Sequence, residues 1–327
     1  MTLHQTLDPD LHDTLAKAVK EGFDAQIALT QDLVRRPSQR GDEHTVQDFI
    51  FGELRARGYQ MERFAMDRAA LERHPGSGKW SPQHSEAPIV VGIHRPRNET
   101  GRSLILQGHV DVVPTGPEHM WSDPPYAATI RDGRMYGRGA NDMKSGVACA
   151  ISALDALRRI GWQPAATLYF QSVVEEESTG DGALMTHLRG YKADAALVPE
   201  PTGEVLVRAN VGVIWFRIEF EGVPRHVSEM GEGANAIDAA IRTIASLREL
   251  EAAWNERRTE NPLFADLPKP INLNIGKIEG GEWASSVPAT AAVDFRISIL
   301  PSWNVDACAA EIEAHLKAFV AKDSFLS

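Results

Sequence analysis

Apolar residues recur along the chain in two spacings, one typical of helices and one typical of strands. Helical periodicity predicts helices over residues 11–36, 43–57, 147–160, 235–254 and 305–320. Alternating or short continuous apolar runs predict strands over residues 59–65, 88–94, 103–107, 166–174, 195–199, 211–221, 271–278 and 289–300. Residues 67–86 and 114–139 are rich in proline and glycine, so we expect loops without regular structure there.

The order of these elements changes near residue 206, which predicts two domains. Strands and helices alternate up to that point, as in an α/β domain whose site lies at the carboxyl ends of its strands. Residues 207–327 follow the order β-α-β-β-α, which is typical of an α+β sandwich with helices on one face of an antiparallel sheet. We therefore expect a first domain at 1–206 and a second at 207–327.

The composition narrows the partners and the location that we expect. The 327 residues include 43% hydrophobic and 24% charged side chains, as in ordinary globular proteins. A net charge of −11 without a basic patch argues against a nucleic-acid partner. Residues 1–13 form no apolar signal core, and no apolar run is long enough for a membrane span. Cys149 and Cys308 form no Cys-x-x-Cys motif, which favours a reducing compartment and predicts a cytoplasmic protein.

A histidine and an aspartate follow one of the predicted buried strands. The strand at 103–107 runs directly into Gly108-His109-Val110-Asp111. His109 could ligate a metal ion, and Asp111 could orient the imidazole ring. Alternatively, His109 is a strand-end histidine that bonds to a nearby backbone group.

Three further junctions deliver carboxylates. The strand at 166–174 ends in Glu175-Glu176-Glu177, the strand at 195–199 ends in Glu200, and the glycine-rich stretch 137–146 contains Asp142. Adjacent carboxylates repel one another unless a cation is present, although a charge run can also be a solvated face. Four junctions of this kind together favour one shared metal site over four separate coincidences.

The glycines around Asp142 do not predict a nucleotide site. Their spacing misplaces the third glycine of a dinucleotide fingerprint, and the stretch lacks the Gly-Lys-Ser/Thr of a phosphate loop. We expect instead that they let the backbone turn tightly and deliver the Asp142 carboxylate.

Mixed histidine and carboxylate ligands suit zinc, with cobalt or manganese as substitutes. One aspartate that bridges two ions would hold them roughly 3.5–4 Å apart. A further carboxylate can take a proton from water and pass it to a leaving amine. Glu176 and Glu177 could divide these roles, because neighbouring side chains on an extended strand point to opposite sides. Covalent catalysis has little support, because the chain contains no Gly-x-Ser-x-Gly motif.

Five sequence blocks occur together in this chain: Gly108-His109-Val110-Asp111-Val112-Val113-Pro114, Gly137-Arg138-Gly139-Ala140-Asn141-Asp142-Met143-Lys144, Glu175-Glu176-Glu177, Glu200-Pro201-Thr202 and Gly233-Ala234-Asn235-Ala236-Ile237. In combination they resemble the zinc-dependent aminoacylase, acetylornithine deacetylase, succinyl-diaminopimelate desuccinylase and glutamate carboxypeptidase family. The resemblance covers nearly the whole chain and looks closest to the acetylornithine deacetylase-like branch. It implies a zinc-peptidase-like catalytic domain, with a mixed sheet flanked by helices, and an α+β lid and dimerisation domain.

The same resemblance implies a role for each junction residue. The implied metal ligands are His109, Asp142, Glu177 and Glu200. Asp142 would bridge two zinc ions in each subunit, with cobalt as a possible substitute. Asp111 would hold His109, and Glu176, the middle carboxylate of its block, would be the general base and acid.

Two residues of the second domain also match the family. His226, in Pro224-Arg225-His226-Val227-Ser228, matches a lid histidine that crosses a dimer interface to polarise the substrate carbonyl or stabilise the oxyanion. Arg296, in Asp294-Phe295-Arg296, matches an arginine that holds a substrate carboxylate. The alternatives are an exposed loop histidine and an arginine paired with a neighbouring acid.

The family's layout implies more sequence than the 327 residues contain. A last lid strand, the closing part of the catalytic domain and one more histidine ligand for the second ion would follow Ser327. We therefore expect a C-terminally truncated member with an unpaired sheet edge.

The implied function is that of a metal-dependent amidohydrolase that removes an acyl group from an N-acyl amino acid through an activated water molecule. A dipeptidase or carboxypeptidase on the same scaffold is one alternative, because both cleave an amide beside a carboxylate. A non-catalytic remnant that dimerises through the lid is another. The implied partners are a small N-acyl amino acid or dipeptide and a second copy of the chain in a homodimer.

Overall fold

A computed structural model describes residues 8–323 and 325–326. The first seven residues of the polar stretch 1–13, together with Ser324 and Ser327, lie outside the described residues. The chain divides into two compact units, Met1–Glu204 and Val205–Ser327. Within the described part, no helix has both the length and the apolar character that a membrane span requires.

The first unit alternates helices and strands. Its helices are α1 Pro9–Glu21, α2 Phe23–Val34, α3 His44–Ala56, α4 Arg68–Glu72, α5 Ser145–Arg159 and α6 Asp181–Leu188. Its strands are β1 Gln60–Phe64, β2 Ile89–His94, β3 Leu104–His109, β4 Thr129–Arg131, β5 Arg134–Tyr136, β6 Leu168–Val173 and β7 Ala195–Leu197.

Five of these strands form a mixed sheet in the order β1-β2-β6-β3-β7. The pairs β1/β2 and β2/β6 are antiparallel, whereas β6/β3 and β3/β7 are parallel. Apolar side chains alternate between the two faces of each strand. For example, Val90 packs with α2, α3 and α5, while Val91 packs with α4 and α6. The predicted mixed sheet flanked by helices is confirmed.

The second unit contains β8 Gly212–Glu221, α7 Ala236–Glu256, β9 Leu273–Gly280, β10 Thr290–Ile299 and α8 Val305–Val320. Its strands form an antiparallel sheet in the order β8-β10-β9. Buried side chains of β10, such as Val293 and Phe295, pack with Trp254 of α7 and Ile312 of α8. The predicted α+β sandwich is confirmed, with both helices in one core with the sheet.

Several local predictions are wrong. The single helix expected at 11–36 is interrupted at Gly22, which lies between α1 and α2. The loop expected at 67–86 contains α4, and helix α6 was not predicted. The loop expected at 114–139 contains the hairpin β4–β5, whose Asp132 and Gly133 have φ values of 51° and 73°. An Asp-Gly pair with two positive φ values is a known hairpin signal.

Gly182 marks a close approach between α6 and the end of the sheet. A Cβ atom at this position would overlap the carbonyl oxygen of Val174, which is backbone and cannot rotate away. Gly52, on the exposed side of α3, has no heavy atom within 4 Å of the equivalent position. The two helical glycines therefore differ in packing while sharing a helical backbone.

We expect Gly182→Ala to lower the free energy of unfolding by about 1–3 kcal/mol, because overpacking forces the backbone to shift. Gly52→Ala is the matched control and should raise the free energy of unfolding by about 0.5–1 kcal/mol, since alanine is the better helix former. Urea denaturation in the presence of a chelator measures both. Equal effects of the two substitutions would contradict the packing argument.

Candidate metal centre

Three parallel strands bring the candidate ligands to one edge of the sheet. His109 is the last residue of β3 and pairs in register with Val173, the last residue of β6. Residues 175–177 follow β6, and Glu200 follows β7, the other parallel neighbour of β3. Because parallel strands end at the same edge, the sheet itself gathers these side chains.

The ring of His109 is buried, with 1% of its side chain exposed. Its Nδ1 lies 2.9 Å from the backbone carbonyl oxygen of Asp111. A carbonyl only accepts, so Nδ1 donates and Nε2 faces the acids. Nε2 lies 3.2 Å from Asp142 Oδ1, 3.4 Å from Glu200 Oε1 and 3.7 Å from Glu176 Oε2.

The buried carboxylate of Asp111 connects two ligand-bearing segments. Its Oδ2 accepts a hydrogen bond of 3.0 Å from the backbone N–H of Glu177. Its Oδ1 lies 3.5 Å from Nδ1 of His109. Asp111 therefore orients the ring mainly through its backbone carbonyl, and its side chain holds the turn that follows β6.

Asp142 lies in the bent helical turn Ala140–Lys144, just before α5. Lys144 is fully buried, and its Nζ donates to the carbonyl oxygens of Leu33 and Arg36 at 3.0 and 2.8 Å. These bonds tie the turn to the carboxyl end of α2 and to the residues that follow it. Burial lowers the pKa of Lys144 to about 7.

A glycine allows the segment before Glu200 to reach the site. A Cβ atom at Gly146, in the first turn of α5, would overlap the carbonyl oxygen of Pro199. Any larger residue at position 146 would push Pro199 away from the helix. Gly146 therefore allows the backbone of Pro199, next to the candidate ligand Glu200, to lie directly against α5.

The three glutamates after β6 do not continue an extended strand. Glu175 has φ of 67°, in the left-handed region that non-glycine residues rarely adopt. The expectation that Glu176 and Glu177 point to opposite sides is therefore wrong, because the chain turns before them. Each contributes a carboxylate oxygen to a group that includes His109.

Two groups of side chains can each surround one ion. His109, Glu176 and Glu200 form one group, and His109, Asp142 and Glu177 form the other. Within each group the candidate ligand atoms lie within 4.8 Å of one another. Imidazole nitrogen with carboxylate oxygens is a donor set that zinc accepts. Within the described residues, both groups contain the same histidine.

The charges in this cluster are poorly balanced by the protein alone. Burial and the neighbouring charge of Asp142 raise the pKa of Glu177 to about 7. Burial and the charges of Asp142 and Glu176, against the opposing effect of His109, raise the pKa of Glu200 to about 7. Such carboxyl groups resist ionisation because negative charge is already concentrated around them. A divalent cation would relieve this repulsion, so the residues fit a metal ion.

His109 carries the compensating charge in the metal-free protein. Burial disfavours its charged form, but the carboxylates of Asp111, Glu176 and Glu200 raise the pKa of His109 to about 10. An imidazolium cannot ligate a metal. Metal binding at this centre therefore requires loss of the proton from Nε2.

The remaining predicted site residues, His226 and Arg296, lie in the second unit. His226 is exposed, its Nδ1 lies 2.7 Å from Ser228 Oγ, and its backbone pairs with Ser286. Arg296 lies on β10 opposite Trp215 and donates to Ser298 Oγ at 2.9 Å. Among the described side chains, no acid lies within ion-pair distance of Arg296.

Sequence reasoning missed the residues that hold this site from behind. Arg40, His84 and Lys144 are distant in sequence from the groups that they approach, which include Glu175. The sequence offered one signal for Arg40, the run of three glutamates: if Glu176 and Glu177 serve the metal centre, Glu175 needs another positive charge beside it. That signal does not say which of the chain's 34 lysines and arginines supplies it.

A family model confirms what the site geometry favours. The model of peptidase family M20/M25/M40 matches residues 105–322, more than half of the chain. The chain belongs to peptidase family M20/M25/M40. The M20 match confirms the resemblance inferred from the sequence blocks, and with it the prediction of a metal-dependent hydrolase of amide bonds.

Individual relatives agree with the M20 assignment. The chain is 30% identical to N-formyl-4-amino-5-aminomethyl-2-methylpyrimidine deformylase of Bacillus subtilis, over 96% of this chain and 72% of the relative. It is 29% identical to succinyl-diaminopimelate desuccinylase of Paracidovorax citrulli, over 82% and 67%. The structure of human carnosine dipeptidase 1 matches with a TM-score of 0.72 and 17% identity, over 95% of this chain and 77% of that one. At that identity the structural match concerns the fold alone.

We expect zinc binding to release protons and to tighten as the pH rises from about 6 to 8. At pH 7, His109 with a pKa of about 10 is protonated, and Glu177 and Glu200 with pKa values of about 7 are half protonated. A metal ion competes with these protons, so each one lost favours binding at higher pH. Calorimetric titration with zinc, in two buffers of different ionisation enthalpy, counts the released protons. Binding heats that do not depend on the buffer would contradict this electrostatic account.

Proposed function

We propose that this M20 family member is a zinc-dependent amidohydrolase that removes an acyl group from an N-acyl amino acid. The observation that carries the proposal is the convergence of four carboxylates, from Asp142, Glu176, Glu177 and Glu200, around His109. The donor set and the concentration of negative charge both support a divalent cation at this edge of the sheet.

Following the family resemblance, we assign His109, Asp142, Glu177 and Glu200 as the residues that would hold the metal, and we reserve Glu176 for proton transfer although it also groups with His109 and Glu200. Asp142 would be the bridging ligand, as the family resemblance implies: it groups with His109 and Glu177, and its carboxyl group also lies within hydrogen-bond distance of Glu200, a member of the other group. Bound divalent ions polarise a substrate carbonyl and lower the pKa of a water molecule. The protein keeps the ligands in place through the contacts of Asp111, Gly146 and Lys144 described above.

Glu176 is the proposed general base and acid. Its side chain is 49% exposed, so water and substrate can reach it. Burial and the charges of Asp111 and Asp142, against the opposing effect of His109, raise the pKa of Glu176, which moves it towards the range that suits proton transfer at neutral pH. Its carboxylate takes a proton from the attacking water and gives it to the leaving amine nitrogen. Each turnover thus returns Glu176 to its ionised form.

The names of the curated relatives favour removal of a small acyl group over cleavage of a dipeptide. One relative is a deformylase and another a desuccinylase, and their alignments cover 96% and 82% of this chain. The dipeptidase likeness rests on fold at 17% identity. We therefore place N-formyl, N-acetyl and N-succinyl amino acids ahead of dipeptides as substrates.

Two residues of the second unit are proposed to contact substrate. Arg296 would hold the substrate carboxylate, since its guanidinium donates only to a hydroxyl in the described structure and a guanidinium fork matches a carboxylate. His226 would stabilise the oxyanion from an exposed loop, a role that the resemblance places across a homodimer interface.

We expect Glu176→Gln to lower kcat about 10²–10⁴-fold, because the amide cannot accept the proton from water. Zinc content should remain that of the unchanged protein, since Glu176 is not an assigned ligand. Steady-state kinetics and elemental analysis of the same sample measure the two effects. Glu72→Gln, an exposed change on α4, is the control. Full activity in the Glu176 variant would contradict its assigned role.

The substrate class is tested by a panel of N-formyl, N-acetyl and N-succinyl amino acids, their carboxamide analogues, and dipeptides. We expect acyl removal to dominate. Arg296→Met should raise KM about ten- to hundredfold for the carboxylates, as loss of a charge-assisted hydrogen bond implies, with little change for the carboxamides. Cleavage of dipeptides alone would favour the peptidase alternative. Zinc binding without any hydrolysis would favour the non-catalytic one.

A further inference from the structure

The carboxylate of Glu175 is completely buried beside the proposed ligands, and four donors surround it. Arg40 Nε donates to Oε1 at 2.6 Å, and Arg40 Nη2 donates to Oε2 at 2.7 Å. The backbone N–H of Ser85 donates to Oε1 at 2.7 Å, and Thr179 Oγ1 donates to Oε2 at 3.0 Å. The ring of His84 is also buried, with Nδ1 3.3 Å from Oε2. Glu175 therefore faces the protein interior, away from the ion groups.

The backbone of Glu175 is as constrained as its side chain. Its φ of 67° turns the chain at the end of β6. Its carbonyl oxygen accepts hydrogen bonds from the N–H groups of Thr179 and Gly180 at 2.9 and 2.8 Å. A non-glycine residue stays in the left-handed region only where its surroundings hold it there. Here the side-chain contacts of Glu175 hold the turn from which Glu176 and Glu177 project.

Ser38, two residues before Arg40, is bonded to the segment that carries the candidate histidine. The N–H of Val112 donates to the carbonyl oxygen of Ser38 at 3.0 Å, and Ser38 Oγ donates to the carbonyl oxygen of Val110 at 2.6 Å. These bonds flank Asp111 on both sides. The segment of Ser38 and Arg40 thus connects the residues that follow β3 to the turn that follows β6. His109 and the glutamates of the metal centre lie on these two segments.

We propose that Arg40 is a positioning residue of the metal centre, which fixes the turn at Glu175 and so sets where Glu176 and Glu177 lie relative to His109. The inference deepens the proposed function and rests on it. A purely structural ion pair would stabilise the fold without affecting the affinity for metal. Residues that orient metal ligands from behind typically contribute 10–100-fold to metal affinity.

Arg57 offers a matched comparison. Its Nε lies 2.9 Å from Asp155 Oδ2, and its side chain is 22% exposed, against 28% for Arg40. Arg57 joins α3 to α5 and contacts none of the proposed ligands. Both Arg40→Met and Arg57→Met remove a largely buried arginine from an ion pair, although Arg57 also pairs with Glu53 and its partner Asp155 is 22% exposed, whereas Glu175 is fully buried. Only Arg40 contacts the turn that carries proposed ligands.

The test is the zinc dissociation constant, measured by competition with a chromophoric chelator in the intact chain. We expect Arg40→Met to weaken zinc binding about 10–100-fold, while Arg57→Met leaves the affinity unchanged. Urea denaturation of both metal-free variants reports their stability separately. An unchanged affinity in Arg40→Met, or an equal loss in Arg57→Met, would overturn the inference.

Two further variants test the route through Glu175. Arg40→Lys keeps the charge but not the two-pronged geometry, so we expect an intermediate affinity, and it serves as the primary variant if Arg40→Met does not fold. Adding Glu175→Gln to Arg40→Met should cause no further loss, because residues that act through one contact are not additive. Losses that add in full would overturn the inference.

The same experiment separates this inference from the proposed function. If the unchanged chain binds no zinc, the proposed function fails and the inference fails with it. If the unchanged chain binds zinc and Arg40→Met binds it equally well, the inference alone fails. A lower affinity in Arg40→Met with an unaffected Arg57→Met supports both.

Discussion

Nε2 of His109 faces carboxylate oxygens at 3.2, 3.4 and 3.7 Å, and this concentration of negative charge is the constraint on which the first unit depends. The candidate ligand atoms of each group also lie within 4.8 Å of one another, and carboxylates this close repel, so each acid must be held by contacts that outweigh the repulsion. In the metal-free chain, part of the cost is met by protonation of His109, Glu177 and Glu200. A divalent ion replaces those protons, which is why metal binding, pH and catalysis are expected to be coupled.

The contacts that oppose this repulsion are made by side chains on the interior side of the metal centre. Lys144 ties the turn of Asp142 to the end of α2. Asp111 bonds to the ring of His109 through its carbonyl oxygen and to the N–H of Glu177 through its carboxylate. Arg40 bonds to Glu175, and the neighbouring Ser38 bonds to Val110 and Val112. Lys144 and Asp111 are buried and Arg40 is mostly buried, so each of these ionisable groups is costly to bury unless it is hydrogen-bonded or paired. A metal centre built from repelling acids thus explains why the protein buries so many ionic groups close together.

The strand-end positions of the candidate ligands could be predicted from the sequence, because a buried apolar run followed by an acid or histidine is a local pattern. The turn at Glu175 could not, since its left-handed backbone depends on Arg40, which lies 135 residues away. The role of Lys144 could not be predicted either, because it bonds to a backbone carbonyl of α2, which leaves no pattern in the sequence. In contrast, the β4–β5 hairpin had a local signal in Asp132-Gly133. Long-range polar contacts, more than secondary structure, limited the prediction.

The most direct test of the account is the zinc content of the purified chain after dialysis against dilute zinc. We predict that the unchanged chain retains zinc and that His109→Gln loses it. His94→Gln, which alters a strand-end histidine bonded to the carbonyl oxygen of Pro164, should retain the full amount. An unchanged chain without zinc, or a His109→Gln variant that retains as much as the unchanged chain, would contradict the central claim.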